Sequence, residues 1–449
     1  MPFHRLYHAS AYDPEVPVES FWQTTIADDT GHEAFAGEAA CDVAVIGAGF
    51  TGLSAALRLA GRHGRDVRVL DAAWPGWGAS GRNGGFCCMG GAKLSDAGIA
   101  ARYGAAEAER FTRAQLDAVD LVASLLERHG IDADKGSGGE FQLAHRPGRM
   151  HGFEAEAEDI AGRFGVRADV YDRAGLERLG LAGPEFHGGL HTHAGFSLNP
   201  LKYVLGLARA AAAAGVRIHG RSPVVRLDLE DGGHKLHTPS GTLGAKAVIV
   251  ATNGYSSENL PGWLGGRVLP VLSNILVTRP LSAAELEAQG WTTGHMAYDT
   301  RKLLHYFRLL PDGRFLFGAR GGTDAAPAAK AAMKRRLRRD VERMFPAWAR
   351  IDHSHFWTGL ACLTYGLVPY VGAIGDHRSA WTALAYHGNG VAMGTWSGRQ
   401  VAELAAGAAT PDALPGVVRG PFGRFPVASL RKAYLNCAYA IYALRDEYL

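Results

Sequence analysis

The chain predicts a mixed α/β (α+β) fold in which a domain built on a parallel sheet is interleaved with a second, mainly antiparallel-sheet domain. Three stretches of the 449-residue sequence predict it. Residues 42–71 read as strand, glycine turn, helix and strand, the grammar of a parallel βαβ unit. Residues 267–317 read instead as long β-rich runs joined by a hairpin turn. Residues 381–406 return to strand, glycine turn and helix. A chain this long exceeds a single core, so two lobes are expected.

The first element is Asp42-Val43-Ala44-Val45-Ile46, an apolar β-branched run of the kind buried on both faces. Gly47, Gly49 and Gly52 follow at G-x-G-x-x-G spacing, with Phe50 and Thr51 between them. Leu53, Ala56, Leu57 and Ala60 then recur with helical period. Gly47 permits a sharp turn, Gly49 a close approach to a pyrophosphate, and Gly52 tight packing of the helix on the strand. The helix start offers free N–H groups and the positive end of its dipole to phosphates. The next run, Val67–Leu70, ends in Asp71, where a carboxylate accepts hydrogen bonds from a ribose. This is a Rossmann-type dinucleotide fingerprint; the alternative is a glycine-rich turn in an ordinary βαβ unit.

A second glycine-rich loop, Gly76 to Gly85, follows at once. Its Gly78, Ala79, Ser80, Gly84 and Gly85 supply successive backbone donors that can form an anion-binding concavity. Arg82 adds a fixed charge and Asn83 a two-way amide. A nicotinamide cofactor has no use for a second cradle here, whereas FAD is longer and has to be gripped again. The competing reading is a flexible surface loop.

Beyond the loops, Ala105 to His129 reads as a long helix, Glu140–Leu143 as a short strand, and Gly152 to Phe164 and Leu201 to Ala214 as further helices. Val216–Ile218 is a third strand beside the first two. A meander of Val224–Leu229, His234–Thr238 and Thr242–Ala247 turns at Asp231-Gly232-Gly233 and Ser240-Gly241, returning through Val248–Val250 to Ala251. Val225 and Ala251 are assigned to the cofactor. Val268–Thr278, Leu303–Leu310 and Phe315–Phe317, with Pro311-Asp312-Gly313 as a turn, form the substrate lobe. Lys330 to Met344 is a basic helix whose Lys334, Arg335, Arg336, Arg338 and Arg339 read as a solvated face, against a patch for an acidic partner. Trp381–Ala385 is a strand, and His387, Gly388, Asn389, Gly390 and Val391 open the helix from Ala392 to Ala406. The resulting division is an N-terminal arm at 1–40, cofactor blocks at 41–100, 195–260 and 355–410, substrate blocks at 101–194 and 261–354, and a C-terminal segment at 411–449. Tyr7, Tyr12, Phe21 and Trp22 are expected to anchor the arm.

The loop GWGASGRNGG after a G-x-G-x-x-G unit resembles the D-amino-acid-oxidase-like family of FAD-dependent amine oxidoreductases. The resemblance runs nearly end to end, through Asn199-Pro200, Val248 to Tyr255, Leu303 to Leu309, Trp357-Thr358-Gly359, Tyr386 to Val391 and Leu444-Arg445-Asp446. It implies FAD as cofactor and oxidation of a C–N bond by hydride transfer and imine hydrolysis. The small-molecule amine it implies is a gamma-glutamylated polyamine or similar amino-acid-derived compound, with oxygen or another electron acceptor. It also implies that the lobe's sheet roofs the flavin. Tyr306 and Arg308 share one strand face, so Arg308 is a candidate carboxylate clamp assisted by Tyr306, against an outward-facing strand. Gly390 and Val391 are placed to stabilise charge on the reduced flavin, and His387 is either catalytic or structural. Trp357 and Tyr365 are core aromatics or pocket walls. Alternative activities are an N-methyl amino acid dehydrogenase or oxidase, and a catalytically idle flavin-binding assembly factor. Phe86-Cys87-Cys88-Met89 departs from the family pattern; its thiols read as small buried residues, against a redox or flavin-linking role.

Bulk properties agree. Hydrophobic residues make up 47% and charged residues 20%, a soluble globular balance, and a net charge of +3 is too mild for a nucleic-acid partner. No run approaches the roughly 20 apolar residues of a membrane span, and the polar, proline-punctuated amino end is no secretory signal. Five cysteines, an odd number without zinc-ligand spacing, point to a reducing, cytoplasmic setting and no metal.

Overall fold

The computed structural model describes residues 3–27, 31–136, 138–230 and 232–448. Two sheets organise them. The first has the strand order Tyr370–Ala373, Ala380–Leu384, Gly241–Val250, Gly37–Ile46, Val67–Leu70, Arg217–His219, with Arg226–Asp228 and His234–Thr238 as a hairpin on Gly241–Val250. All neighbours from Ala380–Leu384 to Arg217–His219 run parallel. The reason is visible in the first strand. Val43 and Val45 pack with Leu53, Ala56 and Leu57 of the following helix, while Ala44 and Ile46 pack with Val248 and Val250 on the other side. A strand covered on both faces needs apolar residues at every position. The expected meander strand at 242–247 and return strand at 248–250 are one strand, Gly241–Val250, because no residue there breaks the apolar alternation. Asp231 of the expected turn lies outside the described residues.

The second sheet runs His353–Thr364, Val268–Pro280, Arg314–Arg320, His305–Leu309, Met296–Asp299, Gly138–Leu143, Gly188–Ser197, Phe86–Cys87, with Ala168–Asp172 also on Gly188–Ser197. It is antiparallel except where Met296–Asp299 meets Gly138–Leu143. His353–Thr364 pairs along Val268–Pro280, so residues 355–364, expected in the cofactor block, are part of the substrate-lobe sheet. One face of this sheet carries an aromatic core of Phe141, Phe307, Phe315 and Phe317 with Trp291, Phe345 and Trp348. The other face, offset by one residue on each strand, looks toward the first domain.

Local signals set the helices. Phe50–His63 ends at Gly64 in the left-handed region (φ 60°), and Pro200–Ala213 starts at Asn199, whose side chain accepts from the N–H groups of Leu201 and Lys202. The basic helix spans Pro327–Met344 and buries Met333, Leu337, Val341 and Met344. No helix of the described residues is long and apolar enough to cross a membrane.

Candidate functional site

A cavity of about 490 Å³ lies between the two sheets. Its floor begins at the first glycine turn, where Gly47, Gly49, Phe50 and Thr51 line it at the start of Phe50–His63. Gly47 takes φ 106°, and a Cβ on it would stand 2.9 Å from the carbonyl oxygen of Ala251, another lining residue. A Cβ on Gly49 would stand 2.8 Å from Ser80 Oγ, which accepts the Phe50 N–H at 2.9 Å. The two glycine loops are thus fastened to each other. Gly52 does not line the cavity; its Cβ would meet the Gly47 carbonyl oxygen at 1.9 Å, so it serves helix–strand contact.

Asp71 lines the cavity, and its carboxylate accepts the N–H groups of Ala48 (2.7 Å) and Ala73 (2.8 Å). An ionised carboxylate has about four acceptor sites, so a ribose can still bond to it. Burial pushes its pKa up, opposed by those two N–H groups. Pro223 and Val224 line the cavity, not Val225, whose N–H donates to the His237 carbonyl.

In the second loop, Gly78, Ala79, Ser80, Arg82, Asn83 and Gly84 line the cavity. The Asn83 amide, expected to reach the cofactor, instead staples the loop: it donates to the carbonyls of Ala79 and Ser80 and accepts the Gly85 N–H. Arg82 donates to the carbonyls of Trp77 (2.6 Å) and Thr358 (3.2 Å) and lies over the Trp77 ring. Its Nη2 is buried and has no hydrogen-bond partner among the described residues. Gly85 lies behind the wall, its absent Cβ making room for the Leu198 carbonyl.

Across the cavity, Gly388, Asn389, Gly390 and Val391 present the start of the helix Ala392–Ala405. Asn389 donates to the Met89 carbonyl at 2.5 Å, tying this turn to the segment after the second loop. His387 is buried at φ 52°, with Nε2 3.4 Å from Thr364 Oγ1 and Nδ1 without a hydrogen-bond partner among the described residues. Burial pulls its pKa down to about 3, so the imidazole is neutral.

Tyr306 roofs the cavity. Its hydroxyl lies 3.0 Å from Ser273 Oγ, and its ring lies flat over Gly318, where a Cβ would come within 2.1 Å of Cζ. Burial pushes the phenol up to about 12, so it stays protonated. Arg308, expected to clamp a substrate carboxylate, does not line the cavity. Its guanidinium donates to the carbonyls of Gly84 (3.0 Å) and Leu198 (2.6 Å) and lies beside the Trp22 ring. It braces the second loop from behind. Trp357 is core, its indole N–H donating to the Arg82 carbonyl, whereas Tyr365 is exposed and neither core nor pocket wall.

Ionisable lining residues that escaped the sequence reading include Arg5, Lys93, Glu140, Tyr298 and Arg320. The signal for Arg320 was strand parity carried through the hairpin turn, since Tyr306 opposes Gly318 and Arg320 lies two residues on. Arg320 donates to the His387 carbonyl at 2.6 Å. Its proximity, then burial, brings Lys93 down to about 7. Burial lifts Glu140 to about 7, with the Cys88 thiol as its neighbour. Cys87 and Cys88 are buried, and burial raises both thiols, so neither is an active thiolate. Elsewhere, Asp169, His191 and His193 bring potential metal-ligand atoms within 4.8 Å on the sheet's other face, but Asp169 already pairs with Arg167 and His193.

Paired glycine turns, an acid with acceptor sites to spare and a buried Arg82 nitrogen with no partner among the described residues, all in one cavity, fit a dinucleotide gripped at two places. The class this defines is an FAD-dependent oxidoreductase acting on C–N bonds. The chain belongs to the FAD dependent oxidoreductase family (DAO), whose model matches residues 42–404. It is 31% identical over 438 residues to the probable oxidoreductase OrdL of Rhizobium meliloti (strain 1021), covering 97% of this chain and 99% of the relative. It is 30% identical over 410 residues to gamma-glutamylputrescine oxidoreductase of Escherichia coli (strain K12), covering 91% and 93%. In fold it is similar to glycine oxidase from Geobacillus kaustophilus, with a TM-score of 0.68 at 21% identity over 83% of this chain and 96% of that one.

Proposed function

We propose that this protein oxidises the C–N bond of an amino-acid-derived amine, of which gamma-glutamylputrescine is the model, releasing an imine for hydrolysis to an aldehyde. The observation that carries the reading is a single cavity joining both glycine loops to the Tyr306 face of the second sheet. Similarity to gamma-glutamylputrescine oxidoreductase supports the substrate, and five free cysteines support a cytoplasmic setting.

FAD, when bound, supplies the two-electron oxidant, and an acceptor such as oxygen restores it. The chain's own residues position and desolvate. The helix start at Phe50, Ser80 and Arg82 would hold the pyrophosphate side, and Asp71 would hold the ribose. The turn Gly388–Val391 would present backbone N–H groups and the positive end of its helix dipole to the cofactor. Tyr306, kept protonated, donates a hydrogen bond without taking a proton. Neutral His387 shapes the turn and carries no charge toward the amine.

Anaerobic titration of the holoprotein with gamma-glutamylputrescine tests this. Bleaching of the flavin band, with peroxide formed on admitting air, is the expected result for an oxidase. A yellow protein that reduces only with N-methyl amino acids establishes the alternative dehydrogenase reading, and one that no amine reduces removes the enzyme.

A further inference from the structure

His191 and His193 stand two residues apart on the strand Gly188–Ser197, so their imidazoles share one sheet face. The register sets Asp169 of Ala168–Asp172 directly opposite His191. Phe141 opposes His191 on its other side and stacks on its ring, with centroids 4.1 Å apart. Asp169, His191 and His193 therefore lie on the aromatic face of the second sheet, turned away from the cavity. Each offers one ligand atom, and these atoms lie within 4.8 Å of one another. Two donors bonded to one ion at about 2.0–2.2 Å stand roughly 3–4 Å apart. A small shift of side chains closes the set.

The cluster is not a finished hydrogen-bond network. His191 is 6% exposed, yet its Nε2 has no hydrogen-bond partner among the described residues. Leaving a buried ring nitrogen unmatched is costly. Gly139, at φ 78°, leaves space beside that nitrogen, since a Cβ there would stand 2.6 Å from it. His295 flanks the cluster with its ring 5.2 Å from that of His191, and its Nδ1 is likewise buried without a partner among the described residues. Burial pulls His191 down to about 4 and also lowers His295, so both imidazoles are neutral, the form that ligates metals. The pairs that do exist are compatible with an ion. His193 Nε2 stands 2.7 Å from Asp169 Oδ2, close to the spacing of two donors on one metal. Arg167 bonds the same carboxylate, but its side chain is 71% exposed, and such an exposed pair contributes little.

We propose that Asp169, His191 and His193 form a binding site for a divalent cation of the zinc class, with water completing the coordination. Two imidazoles and one carboxylate suit zinc, whereas magnesium and calcium take all-oxygen sets. The expectation of no metal rested on the cysteines; the donors here are imidazoles. Among the described residues, Ala168–Asp172 pairs only with Gly188–Ser197. The ion clips this outer strand to its neighbour and fastens the segment 173–187 between them. None of the three ligands lines the cavity, so loading the site neither supplies nor blocks the oxidation chemistry.

Titration of untagged, chelator-treated holoprotein with Zn²⁺ alone, followed by calorimetry, tests this. Uptake is expected to saturate at one ion per chain and to raise the unfolding midpoint. His193→Ala and Asp169→Asn should each weaken uptake by more than about tenfold, the loss that an outer-shell partner alone produces, with flavin content unchanged. His191→Phe keeps a ring stacked on Phe141 and should abolish uptake; if it fails to fold, His193→Ala still decides. Zn²⁺ uptake that survives intact in His193→Ala and Asp169→Asn overturns the site. So does a titration that never saturates, or Mg²⁺ bound as tightly as Zn²⁺.

Discussion

Gly49 and Ser80 fasten the two glycine loops to each other at a single atom. A methyl at Gly49 meets Ser80 Oγ at 2.8 Å and pushes away the acceptor of the Phe50 N–H. Gly49→Ala is expected to lower stability by about 1–2 kcal/mol and to yield mostly colourless protein, read from the ratio of flavin to protein absorbance. Arg308 makes the opposite kind of prediction. Arg308→Ala removes the donor from two carbonyls and opens a cavity under Trp22, so the unfolding free energy read from urea titration should fall by roughly 2–4 kcal/mol. A normal midpoint with a raised KM alone would return Arg308 to the substrate. Strand parity in the sequence told which face Arg308 shares with Tyr306. It could not tell that the arm and the second loop cover one end of that face.

At the scale of elements, the glycine spacing and apolar periods disclosed most strands and helices, because each is a local pattern. Partners were harder: His353–Thr364 reads as a strand anywhere, and only pairing with Val268–Pro280 places it in the second sheet. The arm was legible by its aromatics. Tyr7 donates to the Pro270 carbonyl, Trp22 to the Asn83 carbonyl, and Tyr12 lines the cavity. Removing residues 3–26 is therefore expected to speed FAD loss, measurable by fluorescence of released flavin. On the sheet's reverse face, His305 is buried against Asp299 at 2.7 Å. Burial alone would lower its pKa, but the Asp299 carboxylate overrides this and lifts it to about 9. Its unfolded value is near 6.5, so its contribution to stability is complete below that pH and is lost as pH rises through about 9. The difference in urea midpoint between wild type and His305→Gln should shrink across that window. A constant difference would show that His305 is neutral throughout.

For the whole molecule, the cavity that would hold FAD is lined from both sheets, so cofactor binding would be linked to global folding. At a free concentration one hundred times its dissociation constant, FAD adds about 2.7 kcal/mol. The apoprotein should melt earlier by calorimetry and recover on reconstitution. The fold class was legible because two glycine-rich turns and an antiparallel block have distinct periods. The charged lining was not, because Lys93, Glu140 and Arg320 come from separate segments that only the tertiary fold brings together.

The chain enters the first sheet, leaves it for the second, returns, leaves again and comes back, passing between them at 71–85, 198–216, 251–267 and 365–369. Four covalent tethers therefore lash the jaws together at different points around the chamber. Opening the two sheets like a clamshell would have to flex all four crossings together, so the distance between the sheets is expected to stay constant through turnover, which paired spin labels on them would check.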